Sequence, residues 1–429
     1  MKNASHHYKH QGNDAYVLGM GCTLIQELNG CIDRNSYALA SRYAGLNKIF
    51  TFTGFDTIIN TCWQKELDKY RKDYSVEGEL RSIVGMHIYR MNSVDELHDA
   101  LSSNKGLRYS CLFPNGPPSR SQMSRDINSM DLEFVLSVFH QLKQDAQRLG
   151  VYKETSYSEV MQKIDTLSNY LLVALDASLV ILNKGLFPFL KTGHCTLTGK
   201  QEYGIHIHVG HCINADSTTA LRITDANIHE TNEFNRLVTQ TIQTCKTTKL
   251  ILVIDRGYYD HTRFQRLCNA KIFFVTPRKK YSLKKTILYP NEDREKIIDG
   301  KRIVDGYITL NKMTSRLRWI RVYEDGKKPF EILTNITSLS SEIIVALYGE
   351  RWPIELVFKD VKQNFGLQQP IGRTMNALLF HIYAVFIAYL LLQIFRHILG
   401  GRYTGMSMLI FRRSILYSDD LEIILCKPP

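Results

Sequence analysis

The sequence predicts an α/β protein, and three features of the chain support this. Helical patterns dominate up to about residue 165, strand and helix patterns alternate from about residue 168, and strand-like segments then crowd together before helices return from residue 341. With 429 residues, 44% of them hydrophobic, the chain can bury more than one core. We therefore expect a multidomain protein with four structural parts and a C-terminal tail.

The first part, residues 1–165, is predicted to be a helical DNA-binding domain. Two capping boxes indicate helix starts, one from Ser93 to Glu96 and one from Ser119 to Gln122. The second start carries arginines and hydroxyl groups at a helix N-terminus, which is where a recognition helix contacts DNA. An ordinary surface helix is the alternative interpretation.

The second part, residues 166–275, has the pattern of a mixed α/β core. Asp176 and Asp255 each directly follow an apolar run, which indicates that they lie at strand ends, where ligands gather in α/β folds. Strand patterns cover Tyr170–Leu175, Gly204–Val209, Ala220–Thr224 and Lys249–Ile254, and a helix pattern covers Thr231–Thr244.

The third part, residues 276–340, is predicted to be a β-rich insertion. Trp319 lies among arginines in this part, so its indole could stack on an extruded base, although packing inside a β-hairpin is an equal alternative. Strand patterns in and beside the insertion cover Ile272–Thr276, Tyr307–Asn311, Leu317–Tyr323 and Phe330–Thr334.

The fourth part, residues 341–400, returns to helices, and residues 401–429 form the tail. Pro353 is expected to kink a helix or restart it, because a proline ring clashes with the carbonyl four residues back. The segment Ala377–Phe395 is apolar and long enough to span a bilayer. We expect a buried core helix instead, because the segment continues a charged helix and the sequence shows no second span.

The charge balance favours an anionic partner such as nucleic acid. Lys and Arg number 54 against 42 Asp and Glu, which gives a net charge of +12 and an isoelectric point near 9.1. The nine cysteines include no Cys-x-x-Cys pair, which fits a reducing compartment, and the polar N-terminus lacks the apolar segment of a secretory signal. We expect a cytoplasmic protein.

Three acids, Asp176, Asp255 and Glu355, could form a metal site if the fold brings them together. Carboxylate oxygens are ligands that Mg²⁺ and Mn²⁺ prefer, and three such groups suit two ions about 3.5–4 Å apart, which catalyse in-line displacement at phosphorus. The alternative is that each aspartate only caps a turn. Asp165 is the alternative candidate for the first acid, although no comparable strand leads into it.

Four reactive side chains near the C-terminus are spaced so that a continuous helix would place them on one stripe. They are Tyr348, Arg351, Glu355 and Lys362. Arg351 and Lys362 can neutralise a phosphate while the Glu355 carboxylate holds a metal ion. This combination suits a phosphodiester bound beside a metal ion. A solvated helix face with ordinary ion pairs is the alternative.

The segment from Leu347 to Gln363 resembles the Tyr-x2-Arg-x3-Glu-x6-Lys signature of bacterial insertion-sequence DDE transposases of the insertion-sequence-four-like group. The segment from Asp255 to Asp260 is similar to the block around that family's second catalytic aspartate, and the resemblance extends over about residues 168–395. It implies a ribonuclease H-like catalytic core that the β-rich insertion interrupts before the catalytic glutamate.

The resemblance also implies roles for individual residues. The implied ligands of two Mg²⁺ or Mn²⁺ ions are Asp176, Asp255 and Glu355, and the implied phosphate contacts are Tyr348, Arg351 and Lys362. The implied activity is that of a transposase in the prokaryotic cytoplasm, associated with the nucleoid and not with a membrane. It would bind the terminal repeats of its element as a homodimer, cleave the DNA and join it to a target.

Two other interpretations stay open. A non-catalytic DNA-binding protein, derived from a transposase by domestication or decay, would share the fold without the chemistry. Histidines and cysteines crowd the span from His194 to Cys212, but their spacing matches no standard zinc site.

Overall fold

The computed structural model describes residues 43, 45–63, 74–153, 158–163, 167–195, 198–279, 287–298, 301–400, 403 and 406–417. Asp165, the alternative candidate for the first acid, and the polar N-terminus lie outside the described residues.

One mixed sheet of ten strands organises the fold. The strands are β1 Leu171–Ile181, β2 Lys191–His194, β3 Gln201–Cys212, β4 Ser217–Asp225, β5 Leu250–Ile254, β6 Phe273–Pro277, β7 Ile287–Ile298, β8 Lys301–Thr309, β9 Leu317–Tyr323 and β10 Phe330–Thr334. Their order is β2-β3-β1-β5-β6-β10-β9-β8-β7, and β4 pairs with β3. The predicted α/β class is confirmed.

The strands β1 and β5 lie side by side at the centre of this sheet. All five residues of β5 are buried, as expected for a continuous apolar run in parallel pairing. The pairing places Leu175 beside Ile254, at the end of β5. Beyond this point β1 continues to Ile181, paired with β3 alone. The prediction that Asp176 ends its strand is therefore wrong, because β3 supplies backbone partners for the residues that follow it.

The strands of the predicted insertion extend the central sheet. β10 pairs antiparallel with β6 and with β9, and β9 pairs with β8. The predicted bounds of β9 and β10 are confirmed. β8 begins at Lys301 instead of Tyr307, and β7 was not predicted.

The helices before the sheet are α1, residues 45–52, α2 Phe55–Cys62, α3 Val76–Tyr89, α4 Val94–Ser103, α5 Lys105–Ser110, α6 Arg120–Ser129, α7 Leu132–Arg148 and α8 Glu159–Gln162. Both predicted helix starts are confirmed. The Ser93 hydroxyl accepts a hydrogen bond from the backbone N–H of Glu96, and Ser119 does the same for Gln122.

The remaining helices are α9 Phe234–Cys245, α10 His261–Asn269, α11 Ser341–Gly349, α12 Trp352–Gln363, α13 Met375–Leu399 and α14 Met408–Tyr417. Pro353 lies in the first turn of α12, where its missing N–H costs no hydrogen bond. The prediction that it restarts the helix is confirmed.

Helix α13 is the core helix of the protein. Within the described ranges it is the one helix long and apolar enough to cross a membrane, and 89% of its most apolar window is buried inside the protein. It packs against α3 and α7 from the N-terminal part and against α12 and β4 from the core. The expectation of a buried core helix is confirmed.

Candidate active site

The two aspartates of the candidate site are neighbours on adjacent strands. Asp176 lies within β1, and Asp255 follows the last residue of β5. The backbone N–H of Asp255 donates to the carbonyl of Leu175 at 3.1 Å, so the parallel register itself brings the two carboxylates together. Asp255 also caps a short 3-10 turn, in which its Oδ2 accepts from the Gly257 N–H at 2.9 Å.

The Arg351 guanidinium joins all three acids. One of its nitrogens lies 2.7 Å from Asp176 Oδ2 and 4.0 Å from Asp255 Oδ1, and another lies 2.5 Å from Glu355 Oε1. The three carboxylates therefore face one point, although they come from two strands and a helix. The side chains of Arg351 and Asp176 are 18% and 13% exposed, whereas those of Asp255 and Glu355 are 31% and 37% exposed, so the site is only partly enclosed.

The electrostatics of the site disfavour so many negative charges in one place. Burial, and then the charge of Asp255, raise the pKa of Asp176 to about 7, against the opposing effect of Arg351. In the described part of the chain, no three His, Cys, Asp or Glu side chains are close enough to share one ion, and Arg351 stands between the carboxylates. A single cation thus occupies the centre of the acidic group.

The predicted stripe is broken, and only part of it stays together. Tyr348 lies in α11 and Glu355 in α12, with the helix break between them, so the prediction of one continuous helix is wrong because Pro353 restarts it. Arg351 and Glu355 nevertheless form their ion pair across one turn. The ring of Tyr348 packs against Phe330 with centroids 5.2 Å apart, and burial raises the pKa of its phenol.

Lys362 connects α12 to the extension of β1. Its ammonium group donates to Ser178 Oγ at 2.7 Å and to the Leu179 carbonyl at 2.9 Å. Burial lowers the pKa of this ammonium group. Lys362 therefore holds α12 against the strand that carries Asp176.

The side chains of Trp319 and Trp352 differ in exposure. The side chain of Trp319 is 7% exposed and belongs to the hydrophobic core, which favours the packing interpretation over base stacking in this conformation. Trp352 is 60% exposed, and Leu356 one turn later is exposed as well. An apolar surface therefore adjoins Arg351 and Glu355 on the outer side of α12.

Sequence reasoning missed a fourth acid, Glu230, in the turn between β4 and α9. Burial, and then the charge of Asp255, raise its pKa to about 7, and Glu230 in turn contributes to the raised pKa of Asp176. The residue follows no apolar run and belongs to no recognised motif. Its position on the turn after β4 was the only signal available.

The histidines of the crowded span have partners within the protein. His208 is hydrogen-bonded to the hydroxyl groups of Tyr258 and Thr224, and His211 contacts Asp216 at 3.0 Å. These contacts hold β3 against β4 and against the turn that follows Asp255.

Comparison with known proteins places the chain in a family. The model of the transposase DDE domain matches residues 168–391, just over half of the chain. A Sinorhizobium fredii protein named as the transposase y4zB is 28% identical over 245 residues, which are 53% of this chain and 63% of that protein.

Two further relatives are named as transposases for insertion sequence elements. The one for IS5377, from Geobacillus stearothermophilus, is 28% identical over 33% of this chain and 38% of its own length. The one for IS4SA, from Synechocystis sp., is 30% identical over 34% of this chain and 40% of its own length. The matched region of this chain thus spans less than two thirds of each relative. The resemblance noted in the sequence is confirmed, and the chain belongs to the transposase DDE domain family.

Proposed function

We propose that the protein is a DNA transposase that binds the terminal repeats of its insertion sequence, cleaves the DNA and transfers the freed strand to a target. The observation that carries this proposal is the convergence of Asp176, Asp255 and Glu355 on the single guanidinium of Arg351. Carboxylates from three separate elements that face one cation form the ligand set that phosphoryl-transfer enzymes use for metal ions.

The chemistry of the three acids suits divalent metal ions, although Arg351 now lies between them and would have to move before they could share an ion. Asp176, Asp255 and Glu355 offer the oxygen ligands that Mg²⁺ and Mn²⁺ prefer, and a buried group of acids gains most from a cation among them. Two such ions would activate the attacking hydroxyl and stabilise the leaving 3′ oxygen. The present partner of the acids, Arg351, shows that the group accepts positive charge.

The chain's own cations and rings would hold the DNA. Arg351 can pair with a phosphate through two parallel hydrogen bonds, which suits a guanidinium better than an ammonium group. Lys362 and Tyr348 would help to position the phosphodiester against the acids. The exposed Trp352 is better presented than Trp319 for stacking on a base at the element's end.

The strand order supports a ribonuclease H-like core. The strand β3 pairs antiparallel with both β4 and β1. From β1 the sheet continues in parallel through β5 and β6. We further propose that residues 1–165 bind the terminal repeats and that residues 276–340 form the insertion of this core. Joining two element ends requires two copies of the site, so we propose a homodimer on DNA in the prokaryotic cytoplasm.

The test is cleavage of a DNA duplex that carries the end of the element, with Mg²⁺ present. The wild-type protein should cut at the element boundary, and Asp255→Asn should lose at least about a thousandfold in rate, since an amide cannot replace the charged ligand. Equal rates for the two proteins would refute the proposed site. A decayed, non-catalytic protein would bind the duplex but would not cut it at any concentration of Mg²⁺.

A further inference from the structure

A fourth carboxylate, that of Glu230, lies near Asp255 and Asp176. Glu230 begins a 3-10 turn, Glu230–Glu233, that packs against the turn Arg256–Tyr258 directly after Asp255. The Glu230 carboxylate lies against Gly257, two residues after Asp255. The charge of Asp255 raises the pKa of Glu230. The two turns bring an acid from the β4–α9 connection to the edge of the site.

Gly257 is the point of contact between the two turns. Its N–H donates to Asp255 Oδ2 at 2.9 Å, and the Glu230 carboxylate covers its α-carbon. A β-carbon placed on Gly257 would lie 1.4 Å from Glu230 Oε2 and 2.6 Å from Glu230 Cδ, so a larger residue fits only if the Glu230 carboxylate moves away. The φ angle of Gly257 lies outside the left-handed region, so the need for glycine comes from Glu230 and not from the backbone.

We propose, on the basis of the proposed function, that Glu230 is a positioning residue for the metal-dependent reaction. Its carboxylate packs on Gly257 and thereby holds the hydrogen bond that orients Asp255. Its negative charge also adds to the attraction of the site for divalent cations. Glu230 thus acts through Asp255, and the reacting atoms need not touch it.

The charge is tested by Mn²⁺ binding to the full-length protein, measured by calorimetry without DNA. Glu230→Gln keeps the shape and removes the charge, so the dissociation constant for Mn²⁺ should rise about tenfold, as expected for a unit charge several ångströms from a divalent ion in a partly aqueous site. Glu230→Asp keeps the charge and should recover most of the affinity. A Glu230→Gln variant with wild-type affinity and an unchanged unfolding temperature would overturn the proposal.

The packing on Gly257 is tested by a double-mutant cycle. Gly257→Ala should weaken Mn²⁺ binding about tenfold in the wild-type background, because its methyl group displaces the Glu230 carboxylate. In the Glu230→Ala background the same change should cost less than about twofold, because the colliding atoms are gone. Equal losses in both backgrounds would show that Gly257 acts independently of Glu230. This cycle decides the question even where Glu230→Gln does not fold.

Asp255→Asn separates this proposal from the proposed function. It should abolish measurable Mn²⁺ binding at the site. Wild-type affinity in Asp255→Asn would refute the metal site itself, whereas wild-type affinity in Glu230→Gln alone would refute only the role of Glu230.

Discussion

Arg351 is the residue on which the geometry of the acids depends. Its guanidinium contacts Asp176 and Glu355 at 2.7 and 2.5 Å and lies 4.0 Å from Asp255. Without a cation, the three carboxylates would repel one another, and burial already raises the pKa of Asp176. Arg351 therefore stabilises the metal-free protein, and an arriving metal ion has to compete with it.

The Arg351→Ala variant should reveal this competition. In metal-free buffer its free energy of unfolding should fall by about 1–3 kcal/mol, because the acids lose their partner. Mn²⁺ should then raise its unfolding temperature more than it raises that of the wild type. Arg256→Ala is the matched control, since Arg256 is an exposed arginine near the same site. If Mn²⁺ raised the unfolding temperature of Arg351→Ala less than that of the wild type, competition between Arg351 and the metal ion would be contradicted.

Lys362 is expected to contact a DNA phosphate. Lys362→Ala should weaken binding to the element's end and reduce the slope of log affinity against log salt by about one. Lys359→Ala is the control, because Lys359 is exposed on the same helix and away from the β1 contacts. An unchanged slope for Lys362→Ala would contradict the phosphate contact. The role of Lys362 would then be limited to its structural contacts with Ser178 and Leu179.

Among the helices and strands, a buried ion pair between β8 and β9 fixes the start of α11 to the sheet. Arg318 of β9 pairs with Asp305 of β8, and the Ser341 hydroxyl at the start of α11 donates to the same carboxylate at 2.8 Å. Arg318 also donates to the Leu339 carbonyl. These contacts lie just before the helices that carry Tyr348 and Glu355, so they set where those helices begin.

Removal of Arg318 should therefore destabilise the protein strongly. Arg318→Ala leaves Asp305 buried without its cation and should cost about 3–5 kcal/mol in chemical denaturation. Arg321→Ala on the same strand removes a more exposed arginine and should cost less than about 1 kcal/mol. Similar losses in the two variants would mean that burial of the Arg318 pair is unimportant.

Local patterns predicted some elements well and others poorly, for physical reasons. The bounds of β9 and β10 were predicted because turn residues flank two compact apolar runs. The extent of β1 was misjudged because Asp176 interrupts the apolar run, while the partner strand β3 maintains the pairing. Glu230 was missed because its proximity to Asp255 arises from contact between two turns, which leaves no periodic pattern in the sequence.

Across the described residues as a whole, α13 joins the N-terminal helices to the sheet and to α12. His381 of α13 packs edge-on against His87 of α3, with ring centroids 4.9 Å apart. Farther along the same helix, Gln393 donates to the Asp216 carbonyl at 2.7 Å, and Arg396 pairs with the Asp216 carboxylate. One buried helix thus contacts both parts, so we expect them to unfold together.

The buried histidine pair predicts an acid-sensitive interface. Burial lowers the pKa of His381 to about 4 and that of His87 well below its usual value. The unfolded chain therefore takes up these protons first, and stability from this pair is lost as the pH falls from about 6.5 to about 4. The raised pKa of Asp176 acts in the opposite direction over this range, so the wild type alone does not isolate the histidines.

The comparison of wild type with His381→Gln isolates this contribution. The difference in unfolding free energy between them should shrink as the pH falls from about 7 to about 4, by at most about 1.4 kcal/mol per pH unit for one proton. Denaturation at a series of pH values measures it. A difference that stays constant across this range would exclude His381 as the titrating group.

The proposed function requires a divalent-cation site formed by Asp176, Asp255 and Glu355. Anomalous X-ray scattering from crystals of the protein with Mn²⁺ and element-end DNA would locate the ions. We predict two anomalous peaks among these carboxylates, with the Arg351 side chain moved off them and onto a phosphate. Crystals saturated with Mn²⁺ that show no peak at the acids, and Arg351 still bridging them, would contradict the account.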